Sequence, residues 1–321
     1  VEELFTRGKS KVRLPTVVIP FDIECSTSSC QDVFLYLRPE TNGIKVESVI
    51  MRTLQQRPQY KDRVKLAYLA NIPGDFIAKN RIIEDHYSLK LHFTKTGKQL
   101  FTPYMKKEFS RYFGVSFDKA KIYGAFEAMK RLGYTREELF NLWVPQRDVF
   151  HINGQTIKRD GDIFIINYDI PAILNKNNSA TDVAVMILRT SFEPKALQRM
   201  IMDMVEELRK EEVIDKTKGY SRVFHYSKGP FEQLLDAVGF LYDSQGNHLS
   251  PDKMLFFNYL LEKGLHTHEV SKILKNPIFL FQGQGDGQKQ FEETIYTATY
   301  EQSYEEAYNT LLSAKAQVIL E

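Results

Sequence analysis

The chain of 321 residues is 43% hydrophobic and 26% charged, which excludes a disordered chain or a fibre and leaves room for two packed cores. Its 43 lysines and arginines stand against 41 aspartates and glutamates, a formal charge of +2 that gives no global field for nucleic acid or anionic lipid. No window approaches the ~18 apolar residues needed to cross a bilayer, and the first fifteen residues carry charges throughout instead of a signal-peptide core. A soluble cytoplasmic protein without membrane insertion is expected.

In chain order, 16–21 and 32–38 are rich in β-branched and aromatic residues and bounded by Pro, Ser and Asn-Gly, as strands are. Between them lie the two cysteines, Cys25 and Cys30, too few and too close for the framework of a small secreted domain, so reduced thiols are expected. Without a second Cys pair or a paired His at matching spacing, no zinc site is expected. Apolar residues at 46, 49, 50 and 54 predict a helix ending before Pro58, followed by strand and turn over 63–74 and an alternating strand over 87–93. From 99 to 143 the pattern is helical in three short segments, with Gly114 and Gly133 as stops and Ser116 and Thr135 as N-caps. Asn153-Gly154 and Asp160-Gly161 then mark the turns of a hairpin or meander.

The polar stretch 174–181 is the best boundary, and helices are expected beyond it at 182–190, 194–213, 230–242, 251–263 and 266–275. The predicted architecture is thus α+β or α/β: a mixed-sheet domain over 1–176 with a helical insert at 99–143, then a mainly helical domain over 177–321.

Two words carry a chemistry. Asp22 and Glu24 in FDIEC share one face of a strand, and NYDIP follows at 167–171. Together they resemble the proofreading exonuclease domain of B-family DNA polymerases. The resemblance implies a divalent-metal 3′–5′ exonuclease in which Asp22, Glu24 and Asp169 hold Mg²⁺ or Mn²⁺. That family's third motif, a Tyr four residues before an Asp on a helix, has no counterpart; Asp236 lies in a helical stretch, but Glu232 stands four before it.

The stretch 182–228 resembles the end of a winged-helix domain, which would aim Lys195, Gln198, Arg199 and Arg209 at a groove and Lys216, Lys218 and Arg222 at phosphates. Residues 260–276 have the rhythm of a helix-turn-helix, read here as a helical hairpin; His266 and His268, two apart at a helix start, are not expected to share a metal. GQGDGQ at 282–287 matches no phosphate-loop spacing and reads as a turn. Tyr296, Tyr300, Tyr304 and Tyr308 recur every fourth residue and form a packing stripe, against the chain itself or against a partner. With no complete catalytic set, the expectation is a non-catalytic binding or regulatory protein acting on a protein or nucleic acid, without metal or cofactor; the metal-dependent nuclease is the alternative.

Overall fold

Short β-branched runs open the chain, and in the computed structural model, which describes residues 12–23, 30–215, 219–283 and 289–320, they pair. Strands β1 (Thr16–Ile19) and β2 (Gln31–Leu37) lead into helix α1 (Ile44–Gln56) and strand β3 (Val64–Pro73). The chain then leaves this sheet through α2 (Gly74–Lys79), α3 (Ile82–His86), α4 (Ser88–Thr96) and α5 (Pro103–Phe113). Next come β4 (Lys121–Gly124), α6 (Ala125–Leu132), α7 (Arg136–Asn141), β5 (Val149–Ile152), β6 (Gln155–Asp160), β7 (Ile163–Ile166) and α8 (Ile170–Ile173). It returns as β8 (Asp182–Thr190), α9 (Pro194–Lys210) and β9 (Phe224–Tyr226). The remainder comprises α10 (Pro230–Phe240), α11 (Leu255–Glu262), α12 (Thr267–Lys275), β10 (Ile278–Gln282), β11 (Gln290–Thr294), α13 (Ile295–Ala298), α14 (Tyr304–Ser313) and β12 (Ala316–Gln317).

The chain is α+β. Its largest sheet has the order β1-β3-β8-β2-β9, with every pair antiparallel. Without the edge strand β1, the sequence β2-α1-β3, β8-α9-β9 in that spatial order is a split β-α-β plait of ferredoxin-like topology. Helices α1 and α9 close one face, where Val46, Val49 and Ile50 meet Met200, Ile201 and Met204. The C-terminal helices close the other, where Phe231, Leu234 and Phe256 meet Phe34, Tyr68 and Ile187.

Two expectations fail here for one reason. The run 182–190, expected as helix, is the strand β8 with both faces covered: Val183, Val185 and Ile187 enter one core and Ala184, Met186 and Leu188 the other. A strand buried on both sides is a continuous apolar run, indistinguishable by period from a buried helix. The winged-helix expectation falls with it, since β8-α9-β9 is half of the plait. The boundary at 176 likewise does not separate two cores, because β8 lies between β2 and β3 in one sheet, and the segment expected to be mainly helical contributes strands to two sheets.

The true interruption begins at Gly74. Pro73 and Asp182 are partners on one rung of the β3–β8 ladder, and Gly74 N–H donates to Thr181 O at 2.7 Å, so the inserted segment leaves and returns at one point. It carries its own sheet, β4-β7-β6-β5, and a core of Phe93, Phe109, Phe113, Phe117 and Phe164. Residues 87–93, expected as a strand, fall almost wholly within helix α4, which presents Leu91 and Phe93 inward. Gly114 and Gly133 end α5 and α6 with φ of 68° and 76°, and Thr135 with Glu138 makes a capping box, all as expected; Ser116 caps no helix. Gly124 presses on α4: a Cβ there would stand 2.0 Å from the Thr94 carbonyl oxygen. Gly124→Ala is therefore expected to cost about 2 kcal/mol or more, read as a fall in the urea midpoint at unchanged slope.

A candidate acid–base site where three segments meet

The β9 strand is three residues long and flanked by aromatic residues, yet it carries a histidine at its centre. His225 pairs across the ladder with Tyr36 of β2, and their rings stack with centroids 4.6 Å apart. Opposite them lies α10, whose sequence PFEQLLDAVGF is apolar except for Glu232, Gln233 and Asp236. Glu232 and Asp236 are one turn apart and share a face. His225 Nε2 is 3.1 Å from Asp236 Oδ2 and 3.9 Å from Glu232 Oε1. From the inserted segment His86, the last residue of α3, brings its Nε2 to 3.6 Å from Asp236 Oδ1. Gly239 makes room for it, since a Cβ there would stand 3.2 Å from His86 Nδ1. Asp236 is fully buried.

Burial sets the charge of this cluster. It pushes Asp236 up to about 7, against the opposing pull of His86 and Arg38. It also pushes both His86 and His225 down to about 4, although Asp236 draws the first upward and Glu232 the second. Glu232 is raised by the same burial. Around neutral pH the imidazoles are thus neutral and Asp236 is the member of the cluster poised to gain or lose a proton. His225 Nε2 faces Asp236 Oδ2, and which ring nitrogen carries the proton follows the protonation state of that carboxyl group.

The cluster opens on a cavity of about 350 Å³ at the seam of the plait, the inserted segment and the C-terminal helices. Four cations line it, Arg38, Lys90, Lys228 and Lys275, against two carboxyl groups, Asp169 and Glu232. Hydroxyls of Tyr87, Tyr220, Tyr296 and Thr297 and the apolar Leu89 and Leu274 complete much of the wall. Such a lining suits a small polar molecule, and the volume falls within the range of ligand sites.

Of the residues singled out by the exonuclease resemblance, the structure brings Asp169 and Asp236 to this neighbourhood and leaves Asp22 elsewhere. Asp22 is paired with Lys65, and its carbonyl accepts from Arg189 NH1 at 2.8 Å, beside the Asp32 rung of β2. That rung lies about 13 Å along the strand from Tyr36. Glu24 and Cys25 lie outside the described residues. Cys30 is disulfide-bonded, contrary to the expectation of reduced thiols. Among the described residues no three His, Cys, Asp or Glu side chains are grouped to hold a metal ion.

The NYDIP word has another role. Asn167 is buried with φ of 52°; its Oδ1 accepts from Thr156 N at 3.0 Å, while Nδ2 donates to Gln155 Oε1 at 2.8 Å and Lys90 O at 3.0 Å. This Asx-held bend aims the next residues, Tyr168 and Asp169, at the cavity wall, where Asp169 Oδ1 is buried with no hydrogen-bond partner.

The residues expected on nucleic acid do not form one face. Lys195, Gln198 and Arg199 are exposed in the first turns of α9, where Gln198 donates to Glu301 Oε1 at 2.8 Å. Arg222 lies beyond the far end of that helix, about 25 Å away by helical rise. Lys216 and Lys218 fall outside the described residues, as do residues 284–287 of the GQGDGQ stretch. The tyrosine stripe expected on a partner is divided between α13 and α14 and packs inward. Tyr296 OH donates to Leu274 O at 2.9 Å and Tyr308 OH to Lys263 O at 3.3 Å, while Tyr304 OH accepts from Asp32 N at 3.0 Å. Tyr300 lines the cavity instead. The hairpin at 260–276 is α11 and α12 followed by strand β10, and among the described helices none is long and apolar enough to cross a membrane.

His86, His225, Glu232 and Arg38 were not singled out from the sequence. One signal was present: two carboxylates four apart on an otherwise apolar helix imply buried acids. Their histidine partners, His86 and His225, precede Asp236 by 150 and 11 residues and meet it only through the fold, so no spacing announces them. No protein-family model matches the chain, and neither a curated protein nor a solved structure matches it.

Proposed function

We propose that this chain binds a small organic anion in the cavity beside His225 and performs general acid–base chemistry on it. The observation that carries the reading is the juxtaposition of Asp236, fully buried between the imidazoles of His225 and His86, with a cavity whose cations outnumber its carboxyl groups. His225 would act as the base, oriented by the hydrogen bond of its Nε2 to Asp236, and Arg38 would hold the anion. The protein then has an enzyme's site, not a docking surface: the aromatic stripe that favoured a macromolecular partner is engaged internally. Catalysis by two metal ions has no observation in its favour among the described residues.

A thermal-shift screen of small organic anions, covering sugar phosphates, nucleotides and keto acids, tests the reading. At about 100 times its Kd a member of the right class stabilises the fold by about 2.7 kcal/mol, a rise in Tm of roughly 5 °C. That rise is expected to vanish in Arg38→Gln. With the ligand in hand, His225→Gln is expected to keep binding within a few-fold and to lower turnover by about 10²–10⁴-fold. A screen with no shift, or shifts that survive Arg38→Gln, would overturn the assignment.

A further inference from the structure

Arg38, Asp169 and Ser221 line the acid–base cavity and also a second cavity of about 500 Å³, so the two meet along these three residues. The second lies between the end of β2, the Phe140 end of α7, the start of α8 and the turn that carries Arg222. Its walls are aromatic on several sides: Tyr36, Phe140, Tyr168 and Phe240, with Phe240 tilted against Tyr36 at 4.6 Å between centroids.

Its charges are unequally matched. Lys176 is paired with Glu40 and lies over the Phe140 ring at 4.6 Å. Arg222 has only that ring, at 5.8 Å, and no carboxylate within ion-pair distance among the described residues. Arg38 donates from Nε to Ser221 O at 3.1 Å and lies 5.5 Å from the Tyr36 ring centroid, again with no carboxylate at ion-pair distance among the described residues. Two guanidinium groups therefore face one cavity from either side of Ser221, neither at ion-pair distance from a carboxylate among the described residues, while Asp169 and the Lys176-paired Glu40 supply the carboxyl groups of the same wall. A guanidinium presents a planar fork of donors that matches a phosphoryl group edge-on, and two of them match its double negative charge.

We infer that the second cavity is a phosphoryl subsite, with Arg38 and Arg222 as its grip, for the same ligand whose reacting group lies at His225. This deepens the reading of the first cavity and rests on it. The ligand is then an elongated phosphorylated organic molecule. Its phosphoryl group lies among Arg38, Arg222 and Tyr168, and its middle passes Asp169, whose unpartnered Oδ1 accepts from a ligand hydroxyl or amino group. Its far end reaches the imidazole of His225.

The test uses the full chain and inorganic phosphate, with malonate as a dicarboxylate probe of similar charge. Calorimetry gives the affinities, and the fluorescence of Trp143, the single tryptophan, exposed and three residues beyond Phe140, gives an independent signal. Phosphate is expected to bind more tightly than malonate. Arg222→Gln is expected to weaken phosphate at least tenfold, with Arg222→Lys intermediate because an ammonium cannot present the fork. His225→Gln is expected to leave phosphate affinity within twofold. Arg222 is exposed, so these variants should fold, which unchanged circular dichroism and Tm verify. Phosphate affinity unchanged by Arg222→Gln, or malonate binding more tightly than phosphate, overturns the subsite. If phosphate instead loses affinity in His225→Gln and not in Arg222→Gln, the subsite fails while the acid–base site stands.

Discussion

Replacing Asp32 with alanine is expected to lower stability by about 3–5 kcal/mol, seen as a large drop in the urea midpoint. Asp32 and Arg189 are partners on the β2–β8 ladder, 0% and 3% exposed, and their side chains form a two-pronged bond with Nε to Oδ1 at 2.7 Å and NH2 to Oδ2 at 3.1 Å. Truncating the acid leaves a guanidinium in the interior without its carboxylate, and desolvation of that charge is the main cost. The pair also joins layers: Tyr304 of α14 accepts from the Asp32 amide and donates to Gln233 Oε1 at 3.2 Å. A double change to Asp32→Leu and Arg189→Met is expected to restore much of the loss, because it removes both charges together. A midpoint unmoved by Asp32→Ala would show that Arg189 finds another anion.

The second large effect is on pH dependence. In the unfolded chain a histidine titrates near 6.5, whereas folded His86 and His225 are held at about 4. Their contribution is complete above 6.5 and is lost as pH falls towards 4, since the unfolded chain takes up protons that the folded one refuses. Asp236 works in the opposite sense: its folded value of about 7 exceeds the ordinary 3.8, so its contribution is present at low pH and is lost as pH rises through 7. Between pH 4 and 6.5 the two imidazoles make stability rise with pH, while Asp236 and Glu232, both raised by burial, make it fall. The parent slope across that window is therefore a small difference between opposing contributions. Asp236→Asn removes one opposing group, so the slope should steepen by about 1 kcal/mol per unit, and stability at pH 8 should exceed that of the parent because the carboxyl group at this position no longer has to ionise. Urea titrations from pH 4.5 to 8.5 measure both; a variant slope equal to the parent's would mean that Asp236 titrates in the fold as it does when unfolded.

Local signals were legible where they are self-contained. The amphipathic stripe of α1, the glycine stops of α5 and α6, the capping box at Thr135 and the Asn153-Gly154 turn each depend on residues within a few positions, and each stands as read. The failures depended on what lies far away in the chain. Residues 182–190 became a central strand because a core formed on both sides of it, and the alternation at 87–93 gave way to helix α4 of the inserted segment. The site was the least legible part: it draws on α3, β9 and α10, and only the pair Glu232 and Asp236 lies within one element. Asp169, noticed for a metal, lines the cavities beside an Asn whose left-handed bend no pattern of residue types announces.

The rung shared by Pro73 and Asp182 bears on how the walls of the two cavities come together. A chain that detours from one position and comes back to it adds little to the entropy of closing the β3–β8 hairpin, because that cost grows only logarithmically with the length of the excursion. The plait can therefore assemble without waiting for the detour, while Arg38 on one body and Asp169 on the other meet only when the two have docked. On the proposed reading the site is complete only in the docked arrangement, and agents that loosen the docking are expected to abolish anion binding while most of the fold persists.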